Sequence, residues 1–235
     1  MKAALAGALG LSVLIVTAGA WLGLNYYLIS TLVVLCALAP FFVDLERRKP
    51  EARELVVLAT LIALAVIARV AFAPIPHFKP TMAIVMIAGM AFGGRTGFLV
   101  GAGAMLVSNL LFGQGPWTPW QMLAFGTGGL AAGVATDTLV RRGLVKRGAL
   151  TWRQRLALAA GGFLLVVCVA GPLLDTCSLF MMITAITPAS AAAIYLAGLP
   201  VNVIHGAATF LTLLLLANPL LRILNRVRVK YGLLG

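Results

Sequence analysis

Asn202 and His205 stand three residues apart in an uncharged, apolar stretch, a spacing that puts both on one face of a helix. Asp175, followed by Thr176, lies in a second apolar stretch. An intramembrane carboxylate is costly unless it meets a partner or a cavity, so Asp175 is a functional candidate by type alone. Asp175 and His205 could exchange a proton, the working parts of an autonomous proton-coupled carrier. As acid and base on a lipid they would still need a nucleophile or metal that the sequence does not supply, and two histidines are too few ligands for a metal site. His205 could equally be a core histidine bonded to a neighbouring helix.

The most unusual segment is residues 113–122, Gly-Gln-Gly-Pro-Trp-Thr-Pro-Trp-Gln-Met. Pro116 and Pro119 lack a backbone donor and restrict the residue before them, so the segment cannot be a regular helix throughout. Non-helical backbone beside a bilayer survives at an interface, inside protein or at a watery cavity. Trp117 and Trp120 fit an interfacial aromatic belt, or a rigid platform on which a flat ligand stacks at low entropic cost. Gln114 and Gln121 add amides, and Asn109 lies just before the loop. A second stiff loop, Ala-Pro-Ile-Pro-His-Phe-Lys-Pro at 73–80, offers His77 and Lys79 to a ligand or to solvent. Arg69, about a turn before that loop, could snorkel to the interface, pair with Asp175 or meet an anionic substrate group.

These residues must be positioned by a membrane fold. The chain of 235 residues is 62% hydrophobic and only 10% charged, in long uncharged runs separated by short basic patches. The +12 charge sits at the ends of those runs, where topology requires it, so nucleic acid is not an expected partner; anionic lipid is the secondary reading. Cys36, Cys168 and Cys177 lie in apolar helices, and an odd count without a CxxC points to free thiols. No P-loop, GxSxG or HExxH occurs, and four of the six acidic residues (Asp44, Glu46, Glu51 and Glu54) share one linker. The chain therefore has no ATPase, no catalytic signature and no relay of intramembrane ionisable groups. Energy for any transport must come from partners.

The pattern predicts an all-α integral membrane protein of eight helices, at 4–23, 26–43, 55–73, 80–93, 96–112, 119–140, 156–182 and 191–217. Residues 1–45 form an N-terminal hairpin turning near Gly23–Asn25, and a signal peptide cleaved after Ala18-Gly19-Ala20 is the weaker alternative. A basic cytoplasmic linker (46–54), a six-helix core (55–217) and a basic cytoplasmic tail (218–235) follow. With the N-terminus inside, sixteen of the 18 Lys and Arg residues, Arg147 among them, fall on the inner side, which predicts cytoplasmic termini. The loops at 73–80, 113–120 and 184–190 then face outward. Gly89/Gly93, Gly97/Gly101 and Gly129/Gly133 are small-xxx-small pairs that let helices approach closely.

The segments FKPTMAIVMIAGMAFGGRTGFLVG (78–101) and SNLLFGQGPWTPWQM (108–122), with the alanine-rich third helix, resemble the substrate-binding S components of energy-coupling factor (ECF) vitamin transporters. The resemblance covers residues 54–217, and within the family the chain looks most like the cobalamin-type members. It implies a six-helix S-component fold in a bacterial plasma membrane, without catalysis or cofactor. It implies capture of a vitamin, a corrinoid in the first instance, from outside through the outer loops and later helices. Its partners would be a transmembrane coupling subunit and two cytoplasmic ATPases. It also implies docking through small residues on the first core helix, here Ala59 and Ala63, and toppling of the subunit to carry the vitamin inward. Ile67 interrupts that series. The hairpin exceeds the minimal six-helix unit.

Overall fold

The computed structural model describes residues 2–146 and 148–232, so Arg147 and the end of the tail lie outside the described residues. The elements are α1 (Lys2–Trp21), α2 (Tyr26–Arg47), α3 (Ala52–Ala71), α4 (Thr81–Phe92), α5 (Gly94–Phe112), α6 (Thr118–Arg141), α7 (Trp152–Leu165), α8 (Gly171–Met182) and α9 (Pro188–Tyr231). A π turn, Val166–Ala170, joins α7 to α8 in one continuous span. No strand occurs among the described residues; one bridge pairs Lys146 with Ala149. Among the described residues six helices are long and apolar enough to cross a membrane, and the chain is a multi-pass membrane protein.

Local chemistry sets the breaks. Gly23, at φ +64°, and Asn25, whose side chain accepts from the Leu28 amide at 2.8 Å, turn the hairpin where the sequence placed it. Gly93 at φ +95° separates α4 from α5, a conformation that favours glycine. Thr151 with Gln154, and Thr187 with Ser190, form capping boxes that start α7 and α9. Pro172 cannot donate to the preceding turn, and the π turn just before it absorbs the mismatch.

The short helix α4 is the axis of the core. Its 12 residues are all buried, wrapped by α3, α5, α6 and α9. At about 1.5 Å per residue it spans roughly 18 Å, less than a bilayer core. It tolerates this because protein, not lipid, surrounds it. Beside it α5 and α6 cross at backbone distance: a Cβ added to Gly129 would lie 2.8 Å from the Gly97 Cα.

The hairpin is not a detached anchor. α2 packs along the core, stacking Phe41 on Phe98 at 3.6 Å and pairing Asp44 with Arg95 at 3.2 Å. α1 packs chiefly on α2. At the other end of the chain the expected tail is helix: α9 runs unbroken through Pro219 to Tyr231, 44 residues in all. Asn218 fastens it by exchanging two hydrogen bonds with the Leu150 backbone, at 2.9 and 2.8 Å.

Candidate functional site

The polar residues near the end of α5 form one network. Arg69 of α3 does not reach Asp175; its guanidinium donates to Ser108 Oγ and to Asn109 Oδ1 (2.8 Å) and lies over the Phe112 ring at 4.9 Å. Buried Asn109 donates in turn to Thr118 Oγ1 at 2.9 Å and to Gln121 Oε1 at 2.8 Å. Thr118 donates to Gln114 Oε1 at 3.0 Å, and Gln114 Nε2 closes back on the Leu106 carbonyl at 2.8 Å. Arg69 thus meets neutral acceptors on the neighbouring helix, so neither an ion pair with Asp175 nor simple snorkelling describes it.

This network makes the loop rigid and shortens it. The non-helical stretch is residues 113–117, with Gly113 at φ +99°. Pro119 sits in the first turn of α6, where its missing donor costs nothing, so α6 starts at Thr118, one residue before the predicted helix. Replacing Asn109 by leucine leaves Arg69 without its 2.8 Å acceptor and Gln121 without its donor. The expected loss is about 1.5–3 kcal/mol, the worth of a hydrogen bond to a charged group, read as a lowered unfolding temperature in detergent.

Beside the network a cleft of about 290 Å³ opens between α6 and α8. Trp117 and Gln121 form one wall, and Leu174, Cys177, Ser178, Met181 and Met182 form the other. The two tryptophans part company here. Trp117 is 39% exposed and lines the cleft, whereas Trp120 is 5% exposed and packs on Phe180 with ring centroids 6.1 Å apart. Gln121 Oε1 is occupied by Asn109, and the Gln121 Nε2 donors have no partner among the described residues at the cleft wall.

Asp175, Asn202 and Thr176 form a second polar group between α8 and α9. Asn202 Nδ2 donates to Asp175 Oδ2 at 2.8 Å, and Thr176 shares a hydrogen bond with Tyr195 at 2.8 Å. Gly198 makes room for the carboxylate; a Cβ there would lie 2.6 Å from Asp175 Cγ. His205 packs on Phe125 at 5.6 Å, and its buried Nε2 has no hydrogen-bond partner among the described residues, as is true of Trp120 Nε1. Asp175 and His205 are not hydrogen-bonded to each other.

Two further candidates stand apart. Lys79 Nζ is engaged by backbone carbonyls of Phe72, Ala73 (3.1 Å) and Ile75 (2.8 Å), holding the end of α3 and its loop. Burial, and then the charge of Arg69, lowers the Lys79 pKa. His77 is exposed, at φ 58°, outside the cleft lining. Ala59 and Ala63 lie on the exposed side of α3, in line with exposed Val56 and Ile67. Ser108 and Thr118 are buried members of the network that the sequence reading missed; for Thr118 the signal was a hydroxyl between two Pro-Trp steps. A separate hollow of about 480 Å³ between α4, α6 and α7 has, among the described residues, only Thr136 and Gln154 as polar lining. Without convergent polar groups it does not compete as the solute site.

A family model described as ECF-type riboflavin transporter, S component, matches residues 49–225. No curated protein and no solved structure matches the chain.

Proposed function

Because the chain belongs to the family of ECF-type riboflavin transporter S components, a transporter family of substrate-binding subunits, we propose that it captures riboflavin in the cleft between α6 and α8. The observation that carries this reading is the cleft itself. It offers an indole face at Trp117, free amide donors at Gln121, and a thioether-rich opposite wall at Met181 and Met182. A flat heteroaromatic ring can stack on the indole, receive hydrogen bonds on its carbonyl edge and lie against polarisable sulfur. The family match carries the riboflavin type and gives no support to the cobalamin type that the sequence suggested.

In this reading the basic ends of the helices face the cytoplasm, by the positive-inside bias, and the cleft opens outward. The subunit binds without ATP, and a coupling subunit with two ATPases supplies the energy through the exposed Ala59/Ala63 side of α3. Asp175 serves the α8–α9 junction through Asn202 rather than a proton couple with His205.

The test is titration of the purified full-length chain with riboflavin, followed by quenching of flavin fluorescence, with cobalamin as a separate arm. Saturable one-to-one quenching without ATP or partners is the expected result. Absence of riboflavin binding, or tighter cobalamin binding, overturns the assignment. Trp117→Ala is expected to weaken riboflavin affinity about tenfold to a hundredfold, the scale of one ring-stacking contact of about 1–3 kcal/mol. Unchanged affinity would return Trp117 to the interfacial aromatic belt.

A further inference from the structure

The α5–α6 loop carries one cleft wall, and its internal ties are all local. Gly115 and Thr118 bond each other, Thr118 bonds Gln114, and Gln114 bonds Leu106 of the preceding helix. Among the described residues, one hydrogen bond holds residues 113–117 to an element beyond α5 and α6. Tyr27 Oη of α2 donates to the Pro116 carbonyl at 2.6 Å, one residue before Trp117. The neighbouring Tyr26 stacks on Phe180 of α8, with centroids 6.3 Å apart and planes at 27°. Phe180 in turn meets Trp120 of α6. Adjacent residues on α2 therefore grip both sides of the cleft. The grip has a fixed base, because α2 is pinned at its far end through Phe41–Phe98 and Asp44–Arg95.

We propose that the N-terminal hairpin is a brace on the solute cleft, with Tyr27 a positioning residue that sets where Trp117 stands relative to α8. The inference rests on the α6–α8 cleft being the solute site. It gives α2, a helix beyond the six-helix core, a role in ligand retention. Loosening the brace lets the Trp117 wall move away from Met181 and Met182, so a bound planar ligand escapes faster while its encounter rate is little changed.

The experiment compares full-length wild type, Tyr27→Phe and Tyr26→Leu in nanodiscs. Hydrogen exchange of residues 113–118 is read without ligand, and riboflavin dissociation is read by recovery of flavin fluorescence. Tyr27→Phe removes only a hydroxyl. It is expected to speed exchange of the segment and to raise the riboflavin dissociation rate about fivefold, the worth of one hydrogen bond, while the unfolding temperature falls by no more than about 4 °C. Tyr26→Leu is expected to raise the dissociation rate through the other wall. Wild-type exchange in Tyr27→Phe overturns the brace, and so does faster exchange with wild-type riboflavin dissociation. If the wild type binds no riboflavin, the substrate assignment fails, while the ligand-free exchange still decides whether Tyr27 holds the loop.

Discussion

Gly129→Leu is expected to yield no stably folded core. Where α5 and α6 cross, the two backbones touch. A Cβ on Gly129 would sit 2.8 Å from Gly97 Cα, and one on Gly97 would sit 2.6 Å from the Gly129 carbonyl carbon. Neither neighbour is a flexible side-chain end that could swing aside, so the whole helix must shift. Overpacking a core that can adjust costs about 1–3 kcal/mol, and this contact has less room to adjust than that. Any shift propagates to α4, because a Cβ on Gly89 would also meet the Gly129 carbonyl carbon at 3.0 Å. A fall in unfolding temperature of about 10 °C or more, or loss of a monodisperse peak in detergent, is the expected measurement. Gly161→Leu is the matched control. A Cβ on Gly161 meets nothing within 4 Å, so its unfolding temperature should stay near that of the wild type. Equal behaviour of the two variants would show that the α5–α6 crossing is not a close backbone contact.

The membrane spans were legible because an uncharged run has few alternatives in a bilayer, and all eight predicted segments are helical. The ends were less so. α9 continues past residue 217 to Tyr231 with Arg222, Arg226, Arg228 and Lys230 on it, and a helix leaving the membrane carries no hydropathy signal. The π turn before Pro172 follows from backbone accommodation that composition does not encode. In the site, residue type was readable and partnership was not. Arg69 and Asp175 were both identified as candidates, yet each found a neutral amide on an adjacent helix, Asn109 and Asn202. Which face a helix turns to its neighbour depends on packing of the whole bundle, through contacts such as Gly97 on Gly129. Trp117 and Trp120 show the same limit. Three residues apart, one lines a cleft and the other is buried, because α6 begins between them at Thr118.

Ala63→Trp is expected to abolish riboflavin uptake in a reconstituted transporter while leaving riboflavin binding by the isolated chain unchanged. The separation follows from geometry. Ala63 is exposed on α3, away from the α6–α8 cleft, so a large ring there fills no space within the core and touches no cleft residue. The inward side of the same helix is different: Leu61 and Ala65 are buried against the core, and Arg69 joins the polar network. Helix association in lipid relies on close van der Waals approach, since the hydrocarbon gives helices no hydrophobic reason to pair. An indole held between two helix backbones keeps them apart by the width of the ring, and contact is lost along the whole face. Ile67 is 62% exposed on that side, so the smooth surface centres on Ala59 and Ala63, nearer the basic end. Ala59→Trp should act alike. Val70→Trp, on an exposed residue at the far end of α3, should cost much less. Binding lost together with uptake in Ala63→Trp would mean that this face supports the fold. Uptake retained in both alanine variants would overturn the proposed docking surface on α3.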